Sequence, residues 1–144
     1  PLARWAPGDP APDFGRLSYL GRSRSPDPVR PTRLFHATGK TAARLVGAKP
    51  PPLRLGELRH ELGLSAVYLR LRSTRPSEAA TWTPDWRIPQ PRRHFADKPE
   101  KRPDAVVSRR GRPLFIEYVG HYVRAKIESL HEYCRDNDLP YELW

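Results

Sequence analysis

The sequence predicts an α/β (α+β) fold, a mixed sheet flanked by helices in the order α-β-β-β-α-β, behind a Pro-rich N-terminal extension. Three observations carry this. Two β-rich runs, 104–108 and 114–119, flank the turn-like string RRGR and read as a hairpin. Helically spaced apolar residues stand on both sides of it, over 53–72 and 121–136. LPYELW at 139–144 reads as a last strand. A right-handed crossover through the second helix lays it parallel to 114–119.

The chain has 144 residues, enough for one domain with a core. Its 18 prolines favour extended segments and long loops. The formal net charge of +10 favours an anionic partner, nucleic acid first and an anionic membrane surface second. An Arg-rich genome would produce the same charge without such a role. No run approaches the ~18 apolar residues of a membrane span, so no membrane partner is expected. Cys134 is the single cysteine, which excludes a disulfide within the chain and fits a reducing, cytoplasmic location. No apolar leader segment stands at the start. The chain starts at Pro1 and contains no Met, as a chain that lost its initiator or a piece of a longer one would.

Residues 1–32 carry seven prolines and three glycines, and no helical or strand period survives there. They read as an extended arm with one strand candidate, 16–20. Trp5, Phe14 and Tyr19 suggest packing on a partner or on the domain, as in a homodimer or larger complex formed through the arm. Next come a short strand at 33–36 and a short helix at 38–46, with Thr38 as N-cap and Gly47 as its stop. Gly39-Lys40-Thr41 is not a phosphate loop, because Leu34 stands where that motif needs its first Gly. KPPP at 49–52 is a break, which divides the chain into an arm at 1–50 and a domain at 51–144.

The helix at 53–72 presents Leu55, Leu58, Leu62 and Leu69 as one stripe, widened by Leu64, Val67, Tyr68 and Leu71. Gly63 weakens its middle by roughly 1 kcal/mol relative to Ala. His60 and Glu61 border the stripe. Residues 73–80 connect to a strand at 82–88, which Pro84 confines to a sheet edge or a bulge. A basic loop at 89–103 precedes the hairpin. In the helix at 121–136, Val123, Ile127, Leu130 and Cys134 face one way, which makes Cys134 a core residue. His131 and Cys134 have the spacing of half a zinc site, without a second pair.

Each hairpin run carries one carboxylate. A two-residue loop at Arg110-Gly111 and a four-residue loop at 109–112 both put Asp104 directly across from Glu117. Side chains so opposed have Cβ atoms roughly 4.5–5.5 Å apart, and like charges there repel. Such a pair wants a cation between its members. Two other readings stay open: a surface hairpin with both acids in water, or a shifted register.

Pro103-Asp104, twelve residues, then Glu117-Tyr118-Val119 resembles the PD-(D/E)XK nuclease signature. The element order from residue 53 resembles that superfamily's restriction-endonuclease-like core. With RLFHATGKTAARL ahead of it, the chain looks closest to replication-relaxation type proteins, where a winged helix precedes a nuclease-like domain; residues 33–46 would be the winged-helix remnant. Residues 1–32 lack the helices of a complete winged helix.

The resemblance implies that Asp104, Glu117 and the backbone carbonyl of Val119 hold Mg²⁺ or Mn²⁺, with Glu61 as a third carboxylate. Bound metal would activate a water against the scissile phosphate. The family places a Lys at position 119, where this chain has Val119. Lys126, about a turn and a half into the following helix, would replace it, ahead of Arg124 and His121. Arg92, Arg93, Lys101, Arg102, Arg109, Arg110 and Arg112 would contact DNA phosphates.

The function so implied is metal-dependent endonucleolytic cleavage of DNA, in plasmid or mobile-element processing. The alternative is a catalytically degenerate DNA-binding accessory protein of replication or the relaxosome. A third reading, a protein-interaction module docking through the Pro-rich arm, predicts no DNA binding.

Overall fold

Arg110 and Gly111 both take positive φ, 51° and 79°, the mirror-image turn whose twist matches that of the strands it joins. That turn pins the register of the whole hairpin. In the computed structural model, which describes residues 1–23, 39–47, 55–89, 101–120 and 122–144, β3 (Ala105–Arg109) pairs with β4 (Arg112–Glu117) so that Arg109 faces Arg112 and Ala105 faces Ile116. Continued by one residue, this register puts Asp104 across from Glu117, as the sequence predicts.

Five strands form one mixed sheet in the order β1-β5-β4-β3-β2. The last strand, β5 (Tyr141–Leu143), runs parallel to β4, as expected of a strand reached through α5 (Arg124–Asp136). β2 (Thr83–Pro84) lies at the sheet edge beside β3, the place its proline allows. The strand expected over 82–88 is otherwise a 3₁₀ turn, Asp85–Arg87.

Helices cover both faces. α3 (Leu58–Thr74) and α4 (Pro76–Ala79) bury Val67, Leu71 and Ala79 against Ala105, Val107, Leu114 and Ile116. On the other face α5 buries Ile127, Leu130 and Cys134 with Val119, Tyr141 and Leu143. Cys134 is a core residue, as its spacing indicates.

The N-terminal segment departs from the expected arm. β1 (Ala3–Trp5) pairs antiparallel with β5, and residues 16–20 belong to a helix, α1 (Phe14–Ser23), rather than a strand. Asp13 starts that helix, its Oδ1 accepting the Arg16 amide at 2.9 Å. Trp5 stacks on Tyr141 and meets His131 edge-on, and Trp5 and Leu17 are buried in the α5-side core. A β1–β5 pairing across nearly the whole chain leaves no trace in local periodicity.

The stripe on α3 also differs from expectation. Leu62 and Leu69 are exposed, and the rows that widen the stripe, Val67 and Leu71, face the sheet. The connection expected at 73–80 is mostly helical. α2 (Gly39–Val46) ends at Gly47, which takes φ 67° as a helix-stopping glycine does. Thr38, the strand expected at 33–36, KPPP and most of the basic loop lie outside the described residues. Among the described residues no helix is long and apolar enough to cross a membrane.

Candidate functional site

Asp104 precedes β3 and Glu117 ends β4, so both stand where the hairpin's backbone ladder runs out. Each carboxylate caps the other strand. Glu117 Oε2 accepts the Asp104 amide at 3.1 Å, and Asp104 Oδ2 accepts the Tyr118 amide at 2.7 Å. Two side chains complete the arrangement. His60, from the first turn of α3, meets Asp104 Oδ2 at 3.0 Å, and the Tyr122 hydroxyl donates to Glu117 Oε1 at 2.8 Å. Glu117 is only 5% exposed, so the surface-hairpin alternative does not hold.

Gly63 lets this geometry form. The Tyr118 ring lies against α3 at that residue, where a Cβ would stand 2.2 Å from the ring. The ring also meets His60 edge-on. A glycine that local propensity marks as a weakness is a packing requirement here.

Burial, and then the charge of Asp104, push the Glu117 carboxyl up to about 7. The Tyr122 hydroxyl, the Asp104 amide and the Lys126 charge oppose the rise. Burial lowers the Lys126 ammonium, while Glu117 and Asp104 draw it back up. Its Nζ stands 3.3 Å over the centre of the Tyr122 ring, in cation–π contact. Burial and the same two carboxylates push the Tyr122 phenol up, so it serves as a neutral donor. The bond to Asp104 raises His60.

Lys126 is thus within electrostatic reach of both acids, in the quarter where a replacement for the position-119 lysine is expected. The Val119 side chain is fully buried in the α5-side core, and its carbonyl accepts the Tyr122 amide at 2.7 Å. Burial raises Glu61, as do the charges of Asp85 and Asp104, but its side chain is exposed. Among the described residues no group of three His, Cys, Asp or Glu side chains is arranged to hold a metal ion. Asp104 and Glu117 therefore stand, among the described residues, as a pair of carboxylates without a third such ligand, and Glu117 holds its proton more tightly than an ordinary carboxyl.

The expected phosphate contacts divide. Arg110 and Arg112 are exposed at the turn, and Lys101 is half-buried close enough to lower Lys126. Arg102 is exposed and donates to the Ile88 carbonyl. Arg124 pairs with Glu128 one helical turn on. Arg92, Arg93 and His121 lie outside the described residues. Arg109 is partly exposed on the α3 side of the sheet, where Glu78 and the fully buried Glu142 hold its guanidinium.

The sequence gives no sign that His60, Tyr118 and Tyr122 contribute: His60 borders a stripe, Tyr118 fills a variable position of the signature, and Tyr122 carries no motif. The helix-plus-hairpin pattern, read as one sheet end, is the signal that could have grouped them. No family model, curated protein or solved structure matches the chain.

Proposed function

We infer that the chain is a metal-dependent DNA endonuclease of the PD-(D/E)XK kind, with a restriction-endonuclease-like core akin to that of replication-relaxation proteins. One observation carries the reading: two opposed carboxylates at a hairpin's end share their surroundings with the ammonium of Lys126, delivered by the next helix. In this reading Asp104 and Glu117 hold Mg²⁺ or Mn²⁺, which when bound supplies an activated water and takes up charge on the phosphate. Lys126 would lend its positive charge to the developing negative charge on the phosphoryl oxygens. Tyr122 fixes the Glu117 carboxylate, and His60 fixes Asp104. The net charge of +10 supports DNA as the partner.

The alternative, a degenerate DNA-binding accessory protein, has its own support. Val119 is packed in the core where the family's lysine belongs, and both Glu117 oxygens already accept hydrogen bonds. Cleavage of duplex, nicked, branched and single-stranded DNA with Mg²⁺ or Mn²⁺ separates the two. The endonuclease reading expects cleavage that Asp104→Ala and Glu117→Ala abolish and that Lys126→Ala slows by about 10²-fold or more. Salt-sensitive DNA binding without turnover, unchanged in Glu117→Ala, would establish the accessory reading instead.

A further inference from the structure

A second polar site lies on the opposite face of the sheet. Glu117 pairs with Leu143 and Ile116 with Glu142, and consecutive strand residues alternate faces, so Glu142 points away from the acid pair. Glu142 is fully buried and gathers three guanidinium groups. Arg4 Nε reaches Oε1 at 2.8 Å, Arg109 Nη2 reaches it at 2.7 Å, and Arg75 bridges both oxygens at 2.9 and 2.7 Å. Glu78 holds Arg75 and Arg109 from the side. The three arginines and Glu78 line a pocket of about 700 Å³ together with Arg110, Ser77, Thr81 and Ser108, with Glu142 buried beneath them. Its volume is in the range of small-ligand sites.

The charge around this pocket is unbalanced. Four arginines face two glutamates, which leaves an excess of two positive charges. Arg4 spends Nε on Glu142, and its terminal amino groups make no hydrogen bond among the described residues. Arg110 makes none there either, and it holds φ 51°, a conformation that Gly or Asn adopts with less strain. Glu142 and Glu78 take up most of the Arg75 and Arg109 donors and hold both side chains in place, so the donors left for an anion are chiefly those of Arg4 and Arg110. Planar guanidinium forks match phosphate oxygens two at a time.

We propose that this pocket binds a phosphate group, carried either by a free phosphate monoester or by a nucleic-acid backbone. The site stands apart from the carboxylate pair and does not depend on the endonuclease reading. The test uses the full chain at low salt, with inorganic phosphate, a nucleoside monophosphate and a DNA duplex as probes. Because the protein is basic throughout, the readout is local: the Trp144 indole N–H, which donates to Glu142 at 3.2 Å, is followed by NMR and assigned with Trp144→Phe.

At least one phosphate probe should shift that resonance saturably. Arg4→Gln and Arg110→Gln should each weaken its affinity about tenfold, the loss of one charge-assisted hydrogen bond. Arg110 is exposed at the turn, so its variant keeps the fold even if Arg4→Gln does not. A response to the monophosphate and phosphate assigns the site to a free ester, and a response to the duplex alone assigns it to the backbone. No shift with any probe overturns the proposal. So does a shift that Arg110→Gln leaves unchanged in midpoint.

Discussion

Asp104 and Glu117 hold each other's strands: the Asp104 amide donates to Glu117, and Asp104 in turn accepts the amide of Tyr118, the residue after Glu117. Opposed like charges are tolerated because each has a backbone donor to itself. The Glu117 carboxyl should therefore respond in opposite directions to its two neighbours. Asp104→Asn removes the repelling charge and should lower the Glu117 pKa from about 7. Tyr122→Phe removes a stabilising donor and should raise it. A ¹³C NMR titration of the Glu117 side chain reads both, and shifts of the same sign in the two variants would contradict this account.

Glu117 also makes stability depend on pH. Its proton is held to about 7 when folded and to 4.5 at its ordinary value. Between those values the folded chain binds the extra proton, so stability falls as pH rises. The contribution is full below 4.5 and lost above about 7, and it amounts to roughly 3 kcal/mol at most. His60, raised by its bond to Asp104, adds in the same direction as pH rises past its ordinary range. Urea denaturation from pH 4.5 to 8 should show this decline, and Glu117→Gln should flatten most of it. If the metal reading holds, Mn²⁺ at pH 8 should restore stability to the native chain and not to Glu117→Gln.

Gly63→Ala should destabilise the protein although alanine is the better helix former. The substitution gains about 1 kcal/mol of helix propensity. It also places a methyl group 2.2 Å from the Tyr118 ring, which must swing away from α3 and His60. Overpacking of this kind costs about 1–3 kcal/mol, so a net loss of up to about 2 kcal/mol is expected. Tyr118→Leu should remove most of the Gly63→Ala penalty in a double-mutant cycle.

The arginine cluster predicts an unequal pair of effects. Glu142→Ala leaves Arg75 and Arg109 without their buried counter-charge and should cost about 3–5 kcal/mol. Arg4 is 54% exposed at its side chain, and Arg4→Gln should cost under about 1 kcal/mol. Equal losses in chemical denaturation would mean that Arg4 is as structural as the buried pair.

Cys134 should be inert in the folded protein. It is fully buried, and burial pushes its thiol up to about 12. Thiolate is the reactive form, so an aromatic disulfide reagent should label it only at the rate of unfolding. Rapid labelling under native conditions would show that α5 opens from the sheet.

Much of the fold was legible because it is local. The hairpin register was legible because a two-residue loop at Arg110-Gly111 and a four-residue loop at 109–112 give the same pairing, and the structure takes the two-residue one. α5 and the parallel β5 follow from one helical period and one short apolar run. With the register came the opposition of Asp104 and Glu117. What surrounds them was not legible: His60 comes from more than forty residues upstream, and nothing in its neighbours says that α3 turns that edge toward the hairpin's end.

The sequence by itself determined the hairpin, the edge or bulge position of Pro84 and the core role of Cys134, because turn chemistry and period act over a few residues. Only the tertiary structure decided the rest. It closed the sheet with β1 and turned 16–20 into a helix. It rotated α3 so that Val67 and Leu71 face inward and Leu62 and Leu69 do not. It also bound Arg109 to the buried Glu142. Each of these depends on pairing or charge between residues far apart in the chain, and such contacts leave no local pattern to read.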